Sequence, residues 1–208
     1  KPSLSASALK VLALITMLLD HMAYYLSLPE PLRWVGRLAA PIFLFFVVEG
    51  FTHTRSYRRY LLRVYALAAT MGITNAVLAQ FAGGLRRDGI TPTNSICAAF
   101  FLLLLILQGL KRIEQRRWDG VLLIVGPFAL PLLLELLMLG VLLYFFRRDK
   151  RTQLTAYVVG TLVLYLTPVV LLGGFPLLFT YYQWMMVFAA IPLALYNGER
   201  GSAPRWLF

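Results

Sequence analysis

Residues 9–28 read LKVLALITMLLDHMAYYLSL, and they are apolar over almost their whole length. A helix needs about 20 such residues to cross the hydrocarbon core of a bilayer, and Pro29 and Pro31 then stop the helix. The chain as a whole shares this character, with 60% hydrophobic and 14% charged side chains among 208 residues. Soluble domains have about 25% charged residues. The sequence predicts an all-α, polytopic transmembrane helix bundle, forming a single domain over 1–208.

Apolar stretches of similar length recur along the chain. They are 35–52, 60–81, 94–110, 120–146, 154–172 and 177–196. The stretch 120–146 contains Pro127 and Pro131, so it forms either one kinked helix or two short ones. Lys and Arg concentrate in cytoplasmic loops of membrane proteins. About eight spans with a cytoplasmic N-terminus are predicted, because this count places the main basic loops on the cytoplasmic side: 55–63, 111–117 and 147–151.

The chain is strongly basic, with 20 Lys and Arg against 9 Asp and Glu and a formal charge of +11. In a soluble protein this balance would indicate nucleic acid. Here the basic residues lie between apolar segments, where they set topology and contact anionic lipids, so no nucleic-acid partner is predicted. The single cysteine excludes an internal disulfide. Two histidines and the lack of metal-binding motifs predict no metal site.

An acid and an imidazole, Asp20 and His21, stand together near the outer end of the first span. An ionisable group costs about 2.5–3.5 kcal/mol at the centre of a span, so each needs a partner. A carboxylate can support the charged form of an imidazole that acts as a general base. Adjacent helical side chains do not face each other, which leaves Asp20 directed at another helix. The structural alternative is local hydrogen bonding at the end of a helix.

Two further ionisable residues, Glu49 and His53, are four apart and share one helix face. Arg37 precedes Glu49 by twelve residues, about 18 Å along a helix, so these two cannot pair directly. The structural alternative is that Arg37 extends to the surface and Glu49 pairs with Arg55 or Arg63.

A basic group follows this face, and it consists of Arg55, Arg58, Arg59 and Arg63. The arginine fork matches phosphate, although such a group also arises as a topology signal alone. Asn94, at the edge of the fourth span, requires a hydrogen-bond partner there, either structural or in a substrate.

Four blocks stand in order along the chain. They read LKVLALITM at 9–17 followed by Asp20-His21, GRLAAPIF at 36–43, EGFTHTR at 49–55 followed by Tyr60 and Arg63, and YNGERG at 196–201. Together they resemble the TraX family of membrane proteins over most of the chain. The namesake of that family is implicated in acetylating the N-terminus of conjugative pilin. The family is similar to distant membrane acyltransferases that use acyl-CoA and a histidine within the membrane.

The resemblance implies a bacterial cytoplasmic (inner) membrane acetyltransferase. Acetyl-CoA would donate to an amine or hydroxyl of a pilin-like peptide or a glycan, and no metal is expected. His21 would act as general base or transient acyl carrier, supported by Asp20, with Glu49 as a further catalytic candidate. The expected donor-binding residues are Arg37, His53, Arg55, Arg59, Arg63 and Asn94. Membrane lipids are expected partners, and a homo-oligomeric state stays open.

The sequence departs from the family pattern in two places. The usual Asp-Tyr-Gly motif is replaced by ELLMLG at 135–140, and the usual last helix with tyrosine and histidine is missing, so we expect that helix to lie beyond this sequence. Two other function classes stay open. In a small proton- or cation-coupled transporter or channel component, the acidic residues and histidines would form an ion path. In a non-catalytic helper that anchors a partner, Asp20 and His21 would tolerate replacement.

Overall fold

A computed structural model describes residues 3–81, 96–128, 134–174 and 177–202. The secondary structure in these ranges consists of α-helices, one π-helical turn and one 3-10 segment. β-Pairing among the described residues is limited to one bridge between Leu4 and Tyr196. Four helices in the described ranges are long and apolar enough to cross a membrane, at Ala6–Tyr24, Pro31–His53, Ile96–Glu114 and Lys150–Leu171. The described residues therefore form a helical structure with helices of membrane-spanning length and composition, as predicted; the count of eight spans and the cytoplasmic N-terminus stay predictions.

The α-helices follow one another in chain order. They are α1 Ala6–Tyr25, α2 Pro31–Gly36, α3 Ala39–His53, α4 Tyr57–Phe81, α5 Ile96–Glu114, α6 Gly120–Phe128, α7 Leu134–Phe145, α8 Lys150–Thr161, α9 Thr167–Gly173, α10 Leu177–Thr180 and α11 Ala190–Ala194. A π-helical turn at Leu162–Leu166 joins α8 to α9, and a 3-10 segment at Tyr182–Ala189 precedes α11.

The second helical stretch begins earlier than the sequence pattern predicts. The apolar pattern starts at residue 35, whereas α2 begins at Pro31. A proline is well tolerated at the first helical position, because the N–H that it lacks has no acceptor within the helix there. The polar side chains of α2 are consequently held on a helix instead of lying in a loop, which fixes the direction in which they project.

The span after residue 150 contains a π-turn immediately before Pro168. Proline cannot donate a backbone hydrogen bond and its ring crowds the carbonyl four residues earlier, which disturbs the regular α-helical pattern. The amide of Thr167 donates instead to the carbonyl of Leu162, five residues back. The helix consequently continues past the proline with one wide turn.

The chain divides into two compact units, of which the first contains Lys1–Phe45 and Phe145–Phe208. Within it the N-terminal segment hydrogen-bonds to the end of the last span: the amide of Leu4 donates to the carbonyl of Leu195 and that of Ala6 to Glu199, both at 2.8 Å. Lys150 Nζ donates to the carbonyl of Ala194 at 2.9 Å. Residues from both ends of the chain thus form one packed unit.

The second unit contains Phe46–Tyr144 and packs around α5. Its most deeply buried apolar side chains are Leu103, Leu104, Leu107, Leu137, Leu139 and Leu143, each 0% exposed. Gly109 of α5 and Gly120 of α6 allow these two helices to approach closely, since a Cβ on either would lie within 2.6 Å of the other's carbonyl oxygen. Residues 129–133, including Pro131, lie outside the described residues, so one kinked helix or two over 120–146 stays an open prediction.

Candidate functional site

Asp20 lies on α1 and contacts two arginines carried by α2 and the residue after it. Its Oδ1 atom is 3.5 Å from a terminal guanidinium nitrogen of Arg37 and 4.0 Å from Nε of Arg33. The side chains are 21%, 18% and 29% exposed for Asp20, Arg37 and Arg33. The carboxylate is thus directed at another helix, as the rule on adjacent helical side chains predicts.

A glycine makes this approach possible. Gly36 is buried, and a Cβ built on it would overlap the Cβ of Asp20 and come within 2.9 Å of its carboxyl carbon. Arg33 and Arg37 stand four residues apart on either side of this contact, so both project toward the same helix face. The backbone of α2 can therefore lie directly against Asp20.

Aromatic rings flank both guanidinium groups. The guanidinium carbon of Arg33 is 5.1 Å from the ring centre of Tyr24 and 5.4 Å from that of Tyr182. The guanidinium carbon of Arg37 is 5.0 Å from the Tyr182 ring centre. These distances fall in the range of cation–π attraction, so the rings stabilise two cations that share a single carboxylate.

Several polar atoms in this cluster are buried without a hydrogen-bond partner among the described residues. Three of them are N–H donors, Arg33 Nε, Arg37 Nε and Trp34 Nε1, and one is the acceptor Asp20 Oδ1. Buried polar atoms are rarely left unpaired, and each such case calls for an explanation. The Arg33 Nε contact with Asp20, at 4.0 Å, is too long for a hydrogen bond, and the Arg37 contact uses a terminal guanidinium nitrogen and not Nε.

The imidazole of His21 is exposed and its orientation is set by its own helix. Its Nδ1 atom is 2.8 Å from the carbonyl oxygen of Met17, one turn earlier. A carbonyl oxygen only accepts, so Nδ1 carries the hydrogen, and the lone pair of the neutral ring is on Nε2. This tautomer suits a general base that works through Nε2.

Glu49 and His53 share a face near the end of α3, as their spacing predicts. Glu49 Oε2 is 3.2 Å from His53 Nδ1, which is also 3.0 Å from the Glu49 carbonyl oxygen and 3.0 Å from the Thr52 hydroxyl. The contact that the structure describes for the Glu49 carboxylate is thus with His53, not with Arg55 or Arg63. The His53 side chain is 77% exposed.

The basic group follows at the start of α4. All four arginines are exposed, and none has an ion pair within the described part of the chain: Arg55, Arg58, Arg59 and Arg63. Arg59 and Arg63 are one helical turn apart, so their guanidinium groups can reach the same ligand.

Asn94, the remaining candidate for binding the acetyl donor, lies outside the described residues. Within those residues, no group of three or more acidic, histidine or cysteine side chains could hold a metal ion.

Sequence reasoning did not single out four members of the Asp20 cluster: Tyr24, Arg33, Trp34 and Tyr182. The four-residue spacing of Arg33 and Arg37 indicates a shared helix face, but only if a helix is predicted to begin at Pro31. Tyr182 belongs to an aromatic run that is typical of a membrane interface. Its position under two arginines follows from tertiary packing alone.

Comparison with known proteins fixes the family of the chain. A family model described as TraX protein matches residues 5–208. The chain belongs to the TraX family. It is also similar to the "Probable fimbrial assembly protein FimC, serogroup H1" of Dichelobacter nodosus, with 51% identity over 29% of this chain. The match spans 27% of the length of that relative. No solved structure matches this TraX-family chain.

Proposed function

We propose that this chain is an acetyltransferase of the bacterial cytoplasmic membrane. It transfers an acetyl group from cytoplasmic acetyl-CoA to an amine or hydroxyl of a pilin-like peptide or a glycan. Family membership and the fimbrial-assembly name of a relative support a pilus-associated membrane protein. The observation that carries the chemistry is the exposed His21, whose Nδ1 hydrogen is held by the Met17 carbonyl.

The proposed transfer uses His21 Nε2 as the base. Nε2 removes the proton from the acceptor as the acceptor nitrogen or oxygen forms a bond to the thioester carbonyl carbon. The carbon–sulfur bond then breaks, and the proton passes from the imidazolium to the departing sulfur, which releases CoA as the thiol. In the alternative route, Nε2 attacks the thioester carbonyl carbon and CoA leaves as the thiolate. The acceptor then takes the acetyl group from the imidazole, and its proton passes to the thiolate, which gives the same products.

Asp20 has an electrostatic role in this proposal. Arg33 and Arg37 bring two positive charges to the residue next to His21, and they would oppose formation of an imidazolium there. The carboxylate of Asp20 offsets one of these charges and lies 3.5 Å from Arg37. Replacement by Asn would leave both guanidinium charges uncompensated and so disfavour the charged intermediate state of the histidine.

Donor binding is assigned to the exposed arginines of the second unit. Arg55, Arg59 and Arg63 present unpaired forks, and guanidinium groups bind phosphate oxygens bidentately. Glu49 orients the imidazole of His53, which adds a hydrogen-bond donor beside these arginines. Arg37 and Asn94, which the family resemblance also implies for the acetyl donor, stay predictions from the sequence: Arg37 lies in the first unit beside Asp20, and Asn94 lies outside the described residues.

Thermal stabilisation by acetyl-CoA tests this function apart from turnover. A ligand that binds only the folded state stabilises it by about 2.7 kcal/mol at one hundred times its Kd. We expect acetyl-CoA to raise the melting temperature of the wild type and of an Arg148→Gln control, and to raise that of Arg59→Gln much less. Arg148 is exposed between α7 and α8, and its replacement loses the same charge. No rise in the wild type would contradict the proposal and favour a transporter or helper, since neither has reason to bind CoA.

A further inference from the structure

The Asp20 cluster contains buried polar atoms that its ion pairs and the proposed acetyl transfer leave without a hydrogen-bond partner among the described residues. We propose that Arg33, Arg37 and Trp34 bind the phosphate of a phosphate ester, and that Asp20 accepts a hydrogen bond from an amine or hydroxyl of the esterifying group. The ester is either a phospholipid headgroup or its soluble equivalent. This binding would occur even in a protein without catalytic activity.

The unpaired donors identify the charge and shape of the ligand. Arg33 Nε, Arg37 Nε and Trp34 Nε1 are buried N–H groups without an acceptor among the described residues. A planar carboxylate offers two oxygens, whereas a phosphate presents oxygens in several directions to three separate donors. The two guanidinium groups also exceed the single carboxylate by one positive charge, so the cluster favours an anion.

The unpaired acceptor identifies what the phosphate carries. Asp20 Oδ1 is buried and accepts no hydrogen bond within the described ranges, although it lies between the two guanidinium groups. A phosphate group without a hydrogen, such as a phosphodiester, donates nothing to this oxygen and would repel it. A phosphate bearing an adjacent amine or hydroxyl satisfies both needs, because it supplies acceptors to the arginines and one donor to Asp20.

The surroundings place this ligand where lipid headgroups lie. Tyr24 and Tyr182 flank the guanidinium groups, and the ring of Trp34 is 6.0 Å from that of Phe179. Tryptophan and tyrosine are enriched at both membrane–water interfaces. The arginine side chains are 29% and 18% exposed, so the cluster is reachable from outside the protein.

The test measures stabilisation of the detergent-purified full chain in two matched arms. The lipid arm compares phosphatidylethanolamine with phosphatidylcholine and diacylglycerol of the same acyl chains. The soluble arm compares phosphoethanolamine with phosphocholine. In either arm, the ethanolamine compound carries N–H donors that the choline compound lacks. We expect the ethanolamine compound to raise the melting temperature more than its choline counterpart, and diacylglycerol to have no comparable effect.

The two arms distinguish the sources of the phosphate. A response confined to the lipids identifies a headgroup site, and a response to phosphoethanolamine shows that the soluble ester is sufficient. No response to any phosphate compound would overturn the proposal. Equal responses to the ethanolamine and choline compounds would overturn the assigned role of Asp20.

Variants connect the response to the cluster. Arg33→Gln should weaken the affinity at least about tenfold, since it removes charge-assisted hydrogen bonds. Arg148→Gln, with the same charge loss at an exposed position, should keep wild-type affinity. Equal affinities of these two variants would contradict the site.

A milder variant keeps the test decisive if Arg33→Gln does not fold. Trp34→Phe retains every charge and an aromatic ring beside Phe179, and removes only the Nε1 donor. We expect it to bind about three- to tenfold more weakly, as for loss of one neutral hydrogen bond. Wild-type affinity in Trp34→Phe would remove Trp34 from the site and overturn the proposal as stated.

Discussion

The backbone of Gly36 lies against the side chain of Asp20, and this contact decides where two arginines sit. Because Gly36 has no Cβ, α2 packs onto α1 closely enough for Arg33 and Arg37 to reach the carboxylate. The costly burial of a charged group inside a span is thereby compensated by cations from the next helix. His21, one residue further, has its tautomer set separately by the Met17 carbonyl.

Replacing Gly36 by Ala should separate Asp20 from its arginines. The added methyl group would overlap the Asp20 side chain, and overpacking of this kind costs about 1–3 kcal/mol. Unfolding of the purified protein by denaturant measures this loss. Gly72→Ala is the control, because nothing lies within 4 Å of its position on α4 and alanine gains about 0.5–1 kcal/mol over glycine in a helix. Equal stabilities of the two variants would contradict the contact.

At the scale of helices, close approach and capping determine how the elements end and pack. Gly109 and Gly120 face each other's carbonyl oxygens, so α5 and α6 meet backbone to backbone. Asp149 precedes α8 and accepts hydrogen bonds from the Thr152 amide at 2.8 Å and the Thr152 hydroxyl at 2.5 Å. Its carboxylate fills the N-cap position, where Asp is among the preferred residues.

Substitution of Gly120 by Ala should disrupt the packing of α6 on α5. The new Cβ would lie 2.5 Å from the carbonyl oxygen of Gly109, and a backbone atom cannot move aside as a flexible side chain can. We expect a loss of about 1–3 kcal/mol in the free energy of unfolding. Gly126→Ala, on the same helix with nothing within 4 Å, should be neutral or slightly stabilising. A comparable loss in Gly126→Ala would contradict the close approach as the cause, because alanine is otherwise favoured over glycine in a helix.

The cap of α8 predicts a pH dependence. The Thr152 side chain, and then its amide, donate to the carboxylate and hold the pKa of Asp149 below its ordinary 3.8. A lowered folded-state pKa stabilises the fold fully above pH 3.8, and this stabilisation is lost as the pH falls through the folded value. Asn also caps helices but carries no charge. The melting-temperature difference between wild type and Asp149→Asn should therefore shrink below pH 3.8; a difference that is constant with pH would contradict this cap.

At the scale of the whole molecule, the N-terminal residues complete a unit with residues from the last part of the chain. The amides of Ala6 and Ser7 donate to the carbonyls of Glu199 and Arg200. These partners belong to the block YNGERG at 196–201, one of the four that resemble the family. That block thus has a structural role, because it holds the start of α1, the helix that carries Asp20 and His21.

Two glycines of this block allow the pairing to be tested. Gly198 and Gly201 both have φ of +80°, where alanine is strained, but only at Gly201 would a Cβ overlap the hydroxyls of Ser5 and Ser7. Gly201→Ala should lower the melting temperature more than Gly198→Ala. It should also speed hydrogen exchange of the Ala6 and Ser7 amides. Equal melting temperatures in the two variants would show that backbone strain alone matters.

The sequence predicts the fold class better than it predicts the site. Long apolar stretches require helices in a membrane, and the four-residue spacing of Glu49 and His53 places both on one face, as observed. Only part of the Asp20 cluster could be predicted from the sequence. Arg33 lies on a short helix started by a proline, and Tyr182 reaches it from a distant part of the chain. Helical periodicity describes neighbours along one helix, and it contains no information on which helices pack together.

The most direct test of the proposed acetyltransferase is the release of CoA from acetyl-CoA by the purified protein, with wild type compared with His21→Ala. Removal of a general base costs about 10²–10⁴-fold in rate, so His21→Ala should release CoA at least about one hundred times more slowly. Met22→Ala, an exposed neighbour on α1, should keep the wild-type rate. Equal, measurable rates in wild type and His21→Ala would contradict the assigned role of His21. If neither protein releases CoA and acetyl-CoA does not stabilise the wild type, the proposed acetyltransferase activity is contradicted.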